Sequence, residues 1–311
     1  MNENKMIIRV RTFATVANLG PGFDCAGMAL DLYNDHEVYE NQDGKDCVFI
    51  EGNDRHRIAT DGNNLICRTI RKTYEIKTGK KFEDLKKNFR IITHIGVPVE
   101  RGLGSSSTAV VAGLLIADRV FGFGMTRKEL LNAGLEIESH PDNIAPCISG
   151  GLVVCYRDRN NEIGFKKIRT GNNFKILLII PDYKVNTNEA RKLVPDSFPR
   201  EDVIANISNF ALLINSFASG DFTDASDFIN DRIHQPYRKA VYPDSISLVE
   251  ELNETAGLPA AIGGSGPTVF AIIPENKMKE ANIYVEETLK KKYPEFDYIF
   301  TSISSKGSYC Y

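Results

Sequence analysis

Long apolar runs are missing from this 311-residue chain. None reaches the roughly 20 residues that a membrane-spanning helix needs. The opening MNENKMIIRV lacks the apolar core of a secretory leader, so a cytoplasmic location is expected. Excess charge of one sign is missing too. The formal net charge is −3 and the pI near 6.0, which argues against a nucleic-acid surface. The 38 basic residues are scattered, and Lys290-Lys291-Lys292 reads as a solvated helix end. The six cysteines lie far apart with no Cys-x-x-Cys, which excludes a zinc site or a disulfide frame and fits reduced thiols. There is no internal repeat, low-complexity stretch or long linker. Two familiar nucleotide signatures are absent: no lysine follows the glycines as a P-loop requires, and no Gly-x-Gly-x-x-Gly exists at the glycine-rich loop.

What remains is the composition of an ordinary soluble protein, 42% apolar and 25% charged, long enough for two domains. One stretch organises it: Gly96-Val97-Pro98-Val99-Glu100-Arg101-Gly102-Leu103-Gly104-Ser105-Ser106-Ser107-Thr108. A β-rich run, Phe89 to Ile95, precedes it, and an apolar run, Ala109 to Val120, follows it. Strand, glycine-rich loop and helix N-terminus in that order make an anion cradle suited to phosphate, because the first N–H groups of a helix lack partners and its dipole is positive there. A capped helix after a flexible turn accounts for the same residues equally well.

Elsewhere Ile7 to Phe13 reads as a first strand, leading into a turn forced by Gly20-Pro21-Gly22 with Asn18 and Asp24 on its flanks, both side chains directed into one cleft. Asn63 to Lys77 reads as an amphipathic helix capped by Asn63 or Asn64. Ser107 to Phe121 is a buried helix ended by Gly122. Thr126 and Glu129 form a capping box for the next helix, whose end carries Glu136 and Glu138. Carboxylates at a helix C-terminus oppose the dipole, which hints at a functional use such as holding Mg²⁺. Leu152 to Tyr156 is a strand, and the charged turn from Arg157 to Glu162 is a hairpin tip or domain boundary. Phe174 to Ile180 should be a central strand. Asn206 to Ser219 should be a helix burying Ile207, Phe210, Ala211, Ile214 and Phe217. Gly263-Gly264-Ser265-Gly266-Pro267-Thr268 is a second glycine-rich loop, entering the strand Val269 to Ile273. The interleaving of elements favours a mixed α+β fold.

Pro98 through Ser106 matches Pro-x-x-x-Gly-Leu-Gly-Ser-Ser, and so resembles the ATP loop of the GHMP kinases. Four further stretches resemble the homoserine kinase branch of that family. They are Ala17-Asn18-Leu19-Gly20-Pro21-Gly22-Phe23-Asp24; Glu138-Ser139-His140-Pro141-Asp142-Asn143-Ile144-Ala145-Pro146; Thr187-Asn188-Glu189-Ala190-Arg191-Lys192-Leu193, with Val194 inserted before Pro195; and Asp231-Arg232-Ile233-His234-Gln235-Pro236-Tyr237-Arg238. The resemblance implies a two-domain fold, an N-terminal ribosomal protein S5 domain 2-like part over 1–160 and a C-terminal ferredoxin-like α/β sandwich over 161–311, with the active site between them. It implies ATP-dependent phosphorylation of the L-homoserine hydroxyl, giving O-phospho-L-homoserine for threonine biosynthesis.

Residue by residue, the resemblance implies ATP contacts at Pro98, Arg101, Gly102, Leu103, Gly104, Ser105, Ser106 and Ser107, with Asn64 near the adenine. It implies Mg²⁺ on Ser106 and Glu138, with Glu136 as the alternative. Substrate contacts fall to Asn18, Asp24, His140, Asn143, Arg191, Arg238 and Gly264. Ser106, Glu138 and Thr187 are the catalytic set. Two arginines suit a carboxylate because each guanidinium donates two parallel bonds. Neither nucleic acid nor membrane is an expected partner, and a homodimer is admitted. A mevalonate-type kinase, a non-catalytic metabolite-binding relative and a nicotinamide dehydrogenase are the alternatives. The first lacks an ammonium for Asp24, the second leaves Ser106 and Glu138 without use, and the third lacks its fingerprint.

Overall fold

The computed structural model describes residues 6–41, 47–85, 88–183 and 187–311, without the side chains of 47, 84, 85 and 187–189. Two antiparallel-rich sheets carry the architecture. The first is built from β1 (Met6–Ala17), β2 (Ala26–Asn41), β3 (Cys47–Glu51), β4 (Asn88–His94), β5 (Leu152–Arg157), β6 (Ile163–Ile168) and β11 (Tyr309–Cys310), in the order β11-β1-β2-β4-β3. β5 pairs with the start of β2 and β6 with β5. The second sheet holds β7 (Phe174–Ile180), β8 (Ala260–Ile262), β9 (Val269–Pro274) and β10 (Asp297–Thr301), in the order β10-β7-β9-β8. That order, with helices between β7 and β8 and between β9 and β10, is the ferredoxin-like β-α-β-β-α-β arrangement.

The helices are α1 (Leu65–Thr78), α2 (Ser105–Phe121), α3 (Arg127–Leu135), α4 (Pro141–Ser149), α5 (Thr187–Lys192), α6 (Arg200–Ser219), α7 (Ala225–Phe228), α8 (Gln235–Arg238), α9 (Pro243–Glu254), α10 (Met278–Tyr284) and α11 (Lys290–Lys292). Among the described residues none is long and apolar enough to cross a membrane. The Thr126–Glu129 capping box of α3 is formed on both sides.

β7 explains how the halves are joined. Successive side chains of a strand point to opposite faces. Ile176, Leu178 and Ile180 therefore enter one core with Phe270, Ile272, Leu213 and Phe217, and with Ala14, Val16, Met28 and Leu30 of the first sheet. Leu177 and Ile179 face the other way, into a core with Leu248 and Leu252 of α9 and Ala281 of α10. The two sheets thus share a core rather than a linker. The expected 160/161 division lies in the turn between β5 and β6, and the chain returns after β10 to place β11 beside β1.

One expected burial fails. Ile207 is 66% exposed and Ala211 is also exposed, whereas Asn206, Leu213 and Phe217 are buried and Phe210 and Ile214 pack partly against the core. The buried stripe of α6 is rotated toward Asn206, whose side chain donates to Pro21 O at 3.2 Å and Asp231 Oδ1 at 3.1 Å. A buried amide with two partners offsets its desolvation, so polarity alone does not mark which face turns inward.

Candidate active site

The glycine-rich loop ends on Gly104, which caps α2 in the left-handed conformation with φ 67°. A Cβ there would lie 2.0 Å from Thr15 Oγ1, and one on Gly102 (φ 78°) 2.5 Å from Gly263 O. The two glycines are thus required by packing: they seat the loop on β1 and on the second glycine-rich loop. Leu103 is fully buried and its carbonyl accepts from Thr15 N at 3.1 Å. Arg101 is 4% exposed and donates to Asp182 Oδ1 at 2.9 Å, clamping the loop to the end of β7. Pro98 is half-buried before it. What the loop leaves open is the first turn of α2: Ser105 is half-buried, Ser106 is exposed and Ser107 is buried.

Glu138 stands opposite that turn. Its carboxylate accepts from Ser106 Oγ and from Ser107 Oγ, each at 2.8 Å. The expected helix-end placement is corrected here. α3 stops at Leu135 with Glu136 as its cap, and Glu138 lies beyond it in the connection to α4. Its charge faces the positive end of α2, a favourable pairing of about 0.3–1 kcal/mol at a helix terminus. Glu136 is exposed. His140 Nδ1 lies 3.5 Å from Glu138 Oε1. That carboxylate raises the imidazole pKa, against burial and the Arg191 charge.

Beside the serines a cavity of about 320 Å³ opens between β4, α1 and α2, walled by Ile58, Leu65, Ile66, Ile95, Val99 and Ala109. Asn64 lines it, but its Oδ1 caps α1 through Ile66 N (2.9 Å) and its Nδ2 donates to Ala59 O (2.7 Å). Both ends of that amide thus have a partner within the fold.

Across α4, Asp24 and Arg191 form an ion pair through Asp24 Oδ2 and Arg191 Nη2, at side-chain exposures of 37% and 42%. Asn18 does not share their cleft. It is 4% exposed, with Nδ2 donating to Gly264 O at 2.7 Å and Oδ1 accepting from Asp24 N at 3.0 Å. Asn18 (φ 72°), Leu19 (φ 49°) and Asp24 (φ 56°) are all left-handed non-glycine residues. Such conformations cost on the order of 1–3 kcal/mol each and gather at functional loops. Arg238 is 2% exposed beneath Phe23. It donates to Gly264 O (3.2 Å), Ala190 O (3.3 Å) and His234 Nδ1 (3.3 Å). His234 Nε2 donates in turn to Gly20 O at 3.0 Å, which fixes the tautomer. Asn18, Gly264 and Arg238 are thus a buried junction under the site. Asn143 Oδ1 accepts from Thr15 Oγ1 at 2.8 Å, tying α4 to β1. The side chain of Thr187 lies outside the described residues; its backbone opens α5, four residues before Arg191.

Sequence reasoning gave no role to Asp142. It is 2% exposed, and its Oδ1 has no hydrogen-bond partner. Burial and the nearby Asp24 charge push its pKa up to about 7, against His140 and Arg191. The residue stood inside a quoted motif, but nothing in the sequence distinguishes a buried carboxyl from a helix-capping one. Among the described residues no three His, Cys, Asp or Glu side chains converge as a metal cage.

Comparison with known proteins bears on the family and the fold. The GHMP kinases N terminal domain matches residues 64–151, and the GHMP kinases C terminal domain matches residues 213–293. The chain is 36% identical over 304 residues to homoserine kinase of Clostridium beijerinckii, covering 97% of this chain and 98% of that one. It is 37% identical to homoserine kinase of Clostridium kluyveri over 270 residues, 87% of each. The crystal structure of homoserine kinase from Cytophaga hutchinsonii superposes with a TM-score of 0.82 at 25% identity, covering 98% and 97% of the two chains. The chain belongs to the GHMP kinase family, ATP-dependent small-molecule kinases, and within it to the homoserine kinase branch.

Proposed function

We propose that this chain transfers the γ-phosphoryl group of ATP to the side-chain hydroxyl of L-homoserine, giving ADP and O-phospho-L-homoserine. One observation carries the reading: an exposed carboxylate–guanidinium pair, Asp24–Arg191, faces the site close to His140, whose ring touches the Glu138 carboxylate at the head of α2. An α-amino acid brings the complementary zwitterion. Its carboxylate takes the Arg191 fork and its ammonium takes Asp24, so each charge keeps a partner when the ion pair opens. The Asp142 carboxyl titrates near neutrality, and an arriving ammonium favours its ionised form. Arg238, Asn18 and Gly264 hold the floor on which this exchange occurs.

On the nucleotide side the N–H groups of the first turn of α2 receive phosphate oxygens. Ser106 and Glu138 supply two hard oxygen donors at 2.8 Å from each other, a set that fits Mg²⁺, which takes one or two protein ligands and completes its shell with phosphate and water. Bound there, the ion neutralises charge on the phosphates. Phosphoryl transfer is loose, with little bond formation to the nucleophile. Positioning by Arg191 and Asp24 and charge stabilisation at α2 therefore matter more than a strong base.

The test is ADP release with homoserine, mevalonate, galactose and buffer. Release with homoserine alone is expected. Equal release with mevalonate, or none with homoserine, refutes the assignment.

A further inference from the structure

Phe23 stands beside both arginines of the amino-acid end. Its ring centroid lies 5.8 Å from the guanidinium carbon of Arg191 and 5.4 Å from that of Arg238. Both distances are inside the roughly 6 Å over which an aromatic face attracts a cation. The ring is half-buried and stacks on the His234 imidazole, with centroids 4.8 Å apart and planes 18° apart. Burial holds the His234 pKa down against Asp231, so the imidazole under Phe23 is neutral.

That platform is fixed without a ligand. His234 is bonded at both nitrogens, Nδ1 accepting from Arg238 and Nε2 donating to Gly20 O. A Cβ on Gly22 would lie 2.8 Å from Phe210 Cε2, so the backbone before Phe23 is packed against α6. After it, Asp24 N donates to Asn18 Oδ1 at 3.0 Å.

Arg191 is held less firmly. Its side chain is 42% exposed, it belongs to the six-residue α5, and its ion-pair partner is Asp24. In the reading above, the substrate ammonium takes Asp24, so Arg191 must keep its place while its partner changes. A second protein carboxylate would hold it there but would compete with the substrate for the guanidinium N–H groups. An aromatic ring does not compete. It attracts the charge through its quadrupole and presents no pair of oxygens to the two parallel donors.

We infer that Phe23 is a positioning residue for the amino-acid substrate, its ring holding the Arg191 guanidinium by a cation–π contact that leaves the N–H fork to the substrate carboxylate. This rests on the proposed function, in which Arg191 takes that carboxylate. Arg238 draws on the same ring, and its bonds run to the neutral acceptors Gly264 O, Ala190 O and His234 Nδ1. The ring therefore serves stability through Arg238 and binding through Arg191, and the two can be read separately.

The experiment replaces Phe23 with phenylalanines carrying one, two and three ring fluorines, which keep the shape of the ring and drain its negative face. Homoserine kcat/KM, the KM for ATP and the melting temperature are measured on each, and the series is repeated in Arg191→Met. Homoserine kcat/KM should fall stepwise, by about 2- to 5-fold across the series, the range of one exposed cation–π contact, with the KM for ATP unmoved. In Arg191→Met the series should be flat. Phe23→Tyr, which keeps a ring, should stay within about 2-fold of wild type, whereas Phe23→Leu should lose roughly 5-fold. An equal slope in Arg191→Met, or a folded Phe23→Leu as active as wild type, overturns the proposal. A lowered melting temperature at constant kcat/KM overturns it as well, because Phe23 then only packs on Arg238 and His234. A flat series in an enzyme that turns over homoserine refutes the role of Phe23 alone. No turnover of homoserine by wild type refutes the proposed function and the role of Phe23 with it.

Discussion

The two ends of the site handle polarity in opposite ways. At the proposed nucleotide end a lone carboxylate, Glu138, is met by two neutral hydroxyls, Ser106 and Ser107, at the N-terminus of α2 and beside a cavity with several aliphatic walls. At the amino-acid end the polar groups are already satisfied by each other: Asp24 by Arg191, Asn18 by Gly264, and Arg238 by Gly264, Ala190 and His234. The proposed ligands account for the difference. A triphosphate stays net negative even with one Mg²⁺, and so suits the positive end of α2. A zwitterion brings two opposite charges into a partly desolvated place, where an isolated arginine or aspartate would be costly. Pairing the two keeps each charge compensated in the fold without ligand.

The largest effect expected from breaking this contrast is at the nucleotide end. Glu138→Gln removes the negative charge facing α2 and should lower kcat on the order of 10³-fold, the scale of several kcal/mol of charge stabilisation. Its Mg²⁺ requirement should rise, while Glu136→Gln should do little. A Mg²⁺ titration of both variants checks this, and the reverse pattern would remove Glu138 from the metal site. At the amino-acid end, Arg191→Lys keeps the charge and loses the fork. It should cost on the order of 10²-fold in kcat/KM for homoserine, with the KM for ATP hardly moved. Comparing homoserine with its carboxamide on both enzymes completes a double-mutant cycle, and additive losses would mean that Arg191 does not touch the carboxylate.

The junction between the ends is tested by Gly102→Ala. A Cβ 2.5 Å from Gly263 O, at φ 78°, should destabilise by about 2 kcal/mol or more, read by denaturant unfolding. An unchanged midpoint would show that the loop is not held by that contact. The smallest effect concerns His36, buried and pushed down to about 4 by desolvation. A histidine kept neutral in the fold takes up a proton on unfolding near its ordinary pKa of 6.5. Stability therefore falls as pH drops below 6.5, by about 1 kcal/mol between pH 6.5 and 5.5. His36→Gln should flatten that part of the pH–stability curve; an equal slope in both proteins would contradict it.

The sequence was legible where one local rule decides the outcome. Gly104 and Gly122 bracket α2, Thr126 and Glu129 cap α3, and the apolar run Phe174–Ile180 is a sheet-centre strand. The family motifs named Ser106, Glu138, Asp24 and Arg191, and the structure pairs Ser106 with Glu138 and Asp24 with Arg191. What the sequence could not supply was which way polar side chains turn. Asn18 and Arg238 turn inward and bond Gly264 O, Asn64 caps α1, and Ile207, expected in the core, is exposed.

Local sequence determined the elements, their caps and the inventory of charges, because those depend on neighbours within a few residues. Tertiary structure alone decided that Glu138 faces α2 across 32 residues and that Arg191 finds Asp24 across 167. The reason is physical: hydrogen bonds and ion pairs between distant segments are fixed by how two sheets pack on a shared core, and no local pattern encodes that packing.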